Sequence, residues 1–116
     1  MNIILDHFPN LSDDQKNKFL DLEKIYKFWN SKINVISRKD IDNIFLHHIL
    51  HSLSIAKFID FKEGTTILDL GTGGGFPGVP LSILFPECNF NLVDSVKKKI
   101  DVVNAVCKDI NLKNIT

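Results

Sequence analysis

The sequence predicts an α/β protein in which helices precede a β-α-β-α unit with parallel strands. Three observations predict it. An apolar run, Thr66-Ile67-Leu68-Asp69-Leu70, enters the glycine-rich stretch Gly71-Thr72-Gly73-Gly74-Gly75-Phe76-Pro77-Gly78. A second apolar run, Phe90-Asn91-Leu92-Val93, ends on Asp94. Ahead of both, apolar residues between positions 12 and 58 recur at spacings of three and four, the period of a helix face. A strand, a glycine loop, a helix and a second strand ending in a carboxylate place nucleotide-like ligands beyond the carboxyl ends of the strands.

Each element has a local reason. Ser12-Asp13-Asp14-Gln15 forms a capping box and starts a helix. Phe19, Leu22, Tyr26 and Trp29 then give it one apolar face, and that spacing favours core packing of Tyr26 and Trp29 over stacking on bases. Residues 31–39 read as a connection, with Asn34 suited to a turn. Asp40 can cap a second helix reaching about Phe58, with Ile41, Phe45, Ile49, Leu53 and Ala56 on its buried side. Gly64 introduces the first strand. Pro77 fits the first turn of the next helix, where its missing N–H costs nothing, and Pro86 stops that helix. Val79, Leu81, Leu84 and Phe85 are then available to cover the sheet. A last helix from about Val96 to Asn111 carries Ile100, Val103, Val106 and Ile110, and Asn114-Ile115-Thr116 would begin a third strand. The chain divides into a helical segment, 1–63, and the first part of a ligand-binding domain, 64–116.

The glycine loop narrows the ligand. A chain leaving a buried strand must turn sharply, and glycine takes positive φ without steric cost. A loop without side chains also lets backbone N–H groups approach a ligand closely. The dinucleotide fingerprint requires glycine at position 76, where Phe76 stands. The spacing from Asp69 through Gly75 is instead D-x-G-x-G-x-G. An acid two residues before Gly71 suits a ligand with a cationic amino-acid end, and Asp94 is placed to bond ribose hydroxyls. Together they point to S-adenosylmethionine, held by Asp69, Gly71, Gly73, Gly75, Phe76 and Asp94. The alternative is a glycine-rich turn with no ligand.

The other constellations are weaker. His47 and His51 lie four apart, a spacing that can chelate metal. A zinc hydrolase would need glutamate at position 48, and His48 occupies it; no metal is expected. His48 falls on the apolar side of its helix, as a core histidine or as part of a ligand pocket, and Asn34 is a second pocket candidate. Lys97-Lys98-Lys99 opens the last helix, where cations are unfavourable unless an anion offsets them. The run is a solvated face or, with Arg38 and Lys39, a contact for RNA phosphate.

Composition sets outer bounds. The 116 residues suffice for one domain or a piece of one, and 44% hydrophobic content is ordinary for a globular protein. Formal net charge is zero, without the basic excess usual in nucleic-acid binders. No apolar run approaches a membrane span, and the first residues lack the basic start of a signal peptide. Cys88 and Cys107 have no metal-type spacing. Reduced thiols in a cytoplasm are the expectation.

Several blocks together carry a resemblance: Trp29-Asn30 with Asn34-Val35-Ile36-Ser37, His48-Ile49-Leu50 with Ser52-Leu53, the run from Asp69 to Leu81, and Leu92-Val93-Asp94-Ser95. In this order they resemble the glucose-inhibited division protein B family, the bacterial small-subunit rRNA guanine-N7 methyltransferases. The resemblance implies a Rossmann-like S-adenosylmethionine-dependent methyltransferase fold and N7-methylation of a guanine in 16S rRNA of the small ribosomal subunit. Two positions depart from the family's R-H-x-x-D-S pattern, with His47 and His51 in place of its arginine and aspartate. The family's sheet has seven strands, so the chain resembles the N-terminal portion of such an enzyme, inactive alone. Its first strand is then expected to present an unpaired edge through which copies could associate. The alternatives are a non-catalytic truncated remnant or a fragment of a nicotinamide-nucleotide oxidoreductase.

Overall fold

Helical segments precede the sheet in the computed structural model, which describes residues 2–33, 36–37 and 41–116. Helix α1 spans Asn2–His7 and α2 spans Asp13–Asn30. Segment α3 is composite: a π-helical stretch Phe45–Leu50, an α turn His51–Leu53 and a 3₁₀ turn Ser54–Lys57. Strand β1 (Thr66–Leu70), helix α4 (Gly78–Leu84), strand β2 (Asn89–Val93) and helix α5 (Lys97–Asp109) follow.

The capping box at the start of α2 forms as predicted. Ser12 Oγ accepts from Gln15 N at 3.1 Å, and Gln15 Oε1 accepts from Ser12 N at 2.9 Å. Gln15 also works at long range. Its Nε2 donates to Ile83 O at 3.0 Å and Leu84 O at 3.3 Å, satisfying two of the carbonyls that a helix end leaves without partners. Phe19, Leu22 and Tyr26 are fully buried along one face of α2, which packs against both α4 and α5. Trp29 is half-buried, and its Nε1 donates to Asp109 Oδ2 at 3.1 Å.

Two features differ from the sequence expectation. Helix α1 was not foreshadowed, because six residues without a capping signal carry too little periodicity. Tertiary contact fixes it, with Ile4 fully buried in the common core. The predicted regular helix from 40 to 58 is instead wound as π, α and 3₁₀ turns. Ile49 and Leu53 are buried as expected, while Ile41, Phe45 and Ala56 are only half-buried. Asn34, Val35, Arg38, Lys39 and Asp40 lie outside the described residues. The connection before them is tied down by Asn30, whose Nδ2 donates to Ile36 O at 2.9 Å while its Oδ1 accepts from Ile36 N at 2.8 Å.

β1 and β2 pair in parallel, from Thr66 opposite Asn89 to Leu70 opposite Val93. Asp94 follows directly after the second strand. The beginning of a third strand is present as a parallel bridge between Phe90 and Ile115 on the other side of β2. Asn114 holds it there, with Nδ2 within 3.1 Å of the carbonyls of Ser82, Phe85 and Cys88. Parallel sheets are normally covered on both faces, and this one is covered on one. Phe90 is buried and Ile67 and Leu92 are half-buried, whereas on the opposite face Leu68 is 57% exposed and Leu70 73% exposed. Among the described residues, β1 pairs only with β2, so its outer edge has no strand partner. No described helix is long and apolar enough to cross a membrane.

Candidate functional site

The glycine loop leaves β1 through left-handed backbone, with φ of 69° at Gly71 and 61° at Gly73. An added Cβ at either position would meet nothing within 4 Å. The requirement at these two residues is therefore conformational, and this side of the loop is bare backbone facing open space. The loop is anchored to the end of β2, where Val93 O accepts from both Gly71 N at 2.8 Å and Thr72 N at 3.0 Å.

The far half of the loop is packed. A Cβ on Gly75 would fall 2.7 Å from Tyr26 Oη and 2.8 Å from Val79 Cγ2, and one on Gly78 would fall 2.7 Å from Leu92 Cγ. Tyr26 Oη donates to Gly74 O at 2.7 Å in a buried setting, and the Tyr26 ring lies 5.0 Å from that of Phe76. Burial, chiefly, and the neighbouring Cys107 push the Tyr26 phenol well above its ordinary pKa, so it remains a donor. Burial also pushes the Cys107 thiol up to about 12. Both cysteines are free and buried.

The two predicted carboxylates flank the loop and brace it. Asp69 Oδ2 accepts from Thr72 Oγ1 at 2.8 Å and from Gly78 N, at the start of α4, at 3.0 Å. Asp69 Oδ1 accepts no hydrogen bond among the described residues. Asp94 Oδ2 accepts from Gly73 N at 2.8 Å, and its Oδ1 accepts from Val96 N at 2.9 Å. The Val96 and Gly73 N–H groups, with the charge of Lys99, hold the Asp94 carboxyl below the usual aspartate range despite some desolvation. Asp94 is thus an anion beside the lysine run that opens α5. Lys97 itself pairs with Asp101 at 3.4 Å on the open surface.

Sequence reasoning named Asp69, Gly71, Gly73, Gly75, Phe76 and Asp94 as cofactor-binding candidates, and the fold brings them to one end of the sheet. It missed Tyr26 as the support of the loop, because a tyrosine at helical spacing carries no sign of which backbone carbonyl it will reach. It also missed Thr72, for which an aspartate three residues earlier was the available signal. His48 lies beside this site with its ring 5.0 Å from that of Phe76. A cleft of about 240 Å³ opens there, bordered by His47, His48, His51, Phe76 and Pro77. A larger cleft of about 520 Å³ lies between the start of α2 and the segment after α5, and holds none of the predicted site residues. Among the described residues, no group of three or more metal-ligating side chains is placed to hold a metal ion.

These features define an α/β protein of the strand, glycine loop, helix class, with a carboxylate at the end of each of two neighbouring strands. The family follows from comparison. The family model described as rRNA small subunit methyltransferase G matches residues 15–116, and the chain belongs to that family. It is 60% identical over its whole length to the ribosomal RNA small subunit methyltransferase G of Phocaeicola vulgatus, covering 56% of that protein. It is 59% identical to the protein of the same name from Bacteroides thetaiotaomicron, again covering 56%. Against that of Porphyromonas gingivalis it is 57% identical over 113 residues, which are 97% of this chain and 51% of the relative. The chain spans about half the length of the curated relatives it matches.

Proposed function

We propose that this chain carries the cofactor loop of a Rossmann-like enzyme that methylates N7 of a guanine in 16S rRNA of the small ribosomal subunit, using S-adenosylmethionine. The observation that carries the reading is the bare, left-handed backbone at Gly71 and Gly73, set between the carboxylates of Asp69 and Asp94. The residues fit the cofactor. Asp69 Oδ1 is available to accept from a cationic amino group, and the open side of Gly71 and Gly73 admits a ligand against the backbone. Phe76 offers an apolar face, and Asp94 can exchange its bond to Gly73 N for ribose hydroxyls. Gly75 supports the site from behind by letting Tyr26 close on the loop. Asn34 and His48 are assigned to the guanine side. Residues 64–116 form the first part of the cofactor domain, and residues 1–63 are its N-terminal helical segment. The working compartment is the cytoplasm, where the small subunit is built.

When bound, the cofactor supplies an electrophilic methyl group. Guanine N7 has a free lone pair and no proton to lose, so the chain needs no general base. What its residues contribute is position: Asp69, the loop and Asp94 fix the ligand, and Phe76 with His48 borders the space where a base would lie. Leu68, Leu70 and Val93 are bare on one face of the sheet, and the outer edge of β1 has no strand partner among the described residues. On its own the chain is expected to bind the cofactor weakly, transfer no methyl group and associate through the outer edge of β1. Concentration-dependent sedimentation reads the association. Isothermal calorimetry tests the central reading: heat with S-adenosylmethionine or its demethylated product supports it. No heat with either, alongside binding of a nicotinamide dinucleotide, would overturn it.

A further inference from the structure

The crest of the glycine loop, Gly73 and Gly74, is held by two side chains from different elements. Gly73 N donates to Asp94 Oδ2 at 2.8 Å, just past the end of β2. Gly74 O accepts from Tyr26 Oη at 2.7 Å, on α2. Among the described residues, Gly73 and Gly74 make no other hydrogen bonds. Their neighbours are fixed by the loop and β2 themselves: Gly71 N and Thr72 N donate to Val93 O, and Gly75 N and Phe76 N donate to Thr72 O. The crest therefore depends on Asp94 and Tyr26.

Tyr26 is well placed to hold on. It is fully buried on α2, which packs against both α4 and α5. Its ring lies 5.0 Å from that of Phe76, and a Cβ on Gly75 would fall 2.7 Å from its Oη, so the loop rests directly on the hydroxyl. Burial keeps the phenol protonated well above its ordinary pKa, which preserves the donor. Asp94 has a second call on it. In the cofactor reading above, it exchanges Gly73 N for ribose hydroxyls, and Tyr26 then holds the crest alone. A contact alters affinity only as far as it is worth more in the bound state than in the free one. The Tyr26 bond meets that condition, because it shares the crest with Asp94 before binding and not after.

We propose that Tyr26 is a positioning residue for the cofactor, its hydroxyl keeping Gly73 and Gly74 in their open backbone arrangement while Asp94 turns to the ligand. This role rests on the cofactor reading above and brings α2 into the site without any contact between α2 and the ligand.

The test compares the unmodified chain, Tyr26→Phe and Gln15→Ala in amide NMR titrations with the demethylated product of S-adenosylmethionine, under conditions where denaturation curves show all three folded. Tyr26→Phe keeps the ring beside Phe76 and removes only the hydroxyl. Gln15→Ala strips donors from Ile83 O and Leu84 O at the far end of α4, and so weakens the fold away from the loop. Affinity should fall about fivefold in Tyr26→Phe, the worth of one ordinary hydrogen bond, and stay unchanged in Gln15→Ala. Unchanged affinity in Tyr26→Phe overturns the role, as does an equal loss in both variants, which marks general destabilisation.

A second measurement needs no loss of the hydroxyl. Tyr26 is the single tyrosine and Trp29 the single tryptophan, so ring-fluorinated tyrosine and tryptophan each give one fluorine resonance. The ligand should move the Tyr26 resonance and leave that of Trp29, on the same helix, in place. A Tyr26 resonance that stays still at saturating ligand, or one that moves no more than that of Trp29, overturns the role. Binding that Tyr26→Phe leaves intact removes this role alone and leaves the proposed function standing; no binding by the unmodified chain removes both.

Discussion

Gly71 and Gly73 at the head of the loop are glycine for a different reason from Gly75 and Gly78 at its foot. At the head the backbone is left-handed and the space around it is open. At the foot the space is filled by Tyr26, Val79 and Leu92. A single run of glycines therefore combines a half that faces open space with a half that lets α2 and β2 close underneath. On the proposed function the difference separates binding from stability within eight residues, and substitutions at the two ends should behave differently.

The largest effect is expected at the foot. Gly75→Ala brings a Cβ to 2.7 Å from Tyr26 Oη at a φ of 107°. Overpacking of this kind costs about 1–3 kcal/mol, and backbone strain adds to it, so thermal melting should show a strong loss. An unchanged melting temperature would break the comparison. Gly73→Val, at the head, should cost about 1–3 kcal/mol from strain alone while removing cofactor binding. Calorimetry on a folded Gly73→Val sample that still showed full affinity would make the head a mere turn. Tyr26→Phe strips the donor from the buried Gly74 carbonyl, a loss of about 1 kcal/mol in chemical denaturation.

The smallest effect concerns Asp94 and pH. Its carboxyl is held below the ordinary aspartate value of 3.8. Its brace on Gly73 and Val96 is therefore fully present above that pH and is lost as pH falls through the lowered native value. Melting temperatures measured down an acid series should drop less steeply in Asp94→Asn than in the unmodified chain. Parallel curves would mean that the carboxylate contributes nothing to the loop.

What was legible in the sequence follows the same division. The strands, the loop and the caps were readable because glycine, proline, Ser12 with Gln15, and runs such as Ile67-Leu68 act through local backbone preference. Asp69 and Asp94 were readable as a pair at the strand ends. Their bonds to Thr72, Gly73, Gly78 and Val96 were not, since those depend on how the loop folds back. Tyr26 reaching Gly74, Gln15 reaching Ile83 and the mixed winding of α3 are products of packing between segments distant in sequence. Periodicity placed Ile49 and Leu53 inside and His47 and His51 four apart, yet it carried no sign that Phe45–Leu50 would wind as a π-helix.

The most direct measurement is a backbone amide NMR titration of the chain with the demethylated cofactor product, which registers weak binding residue by residue. The account predicts that the amides of Gly71 to Phe76 and of Asp94 to Val96 shift together, while those along α1 stay in place. Shifts confined to other regions, or none at concentrations where a nicotinamide dinucleotide does produce them, would contradict it.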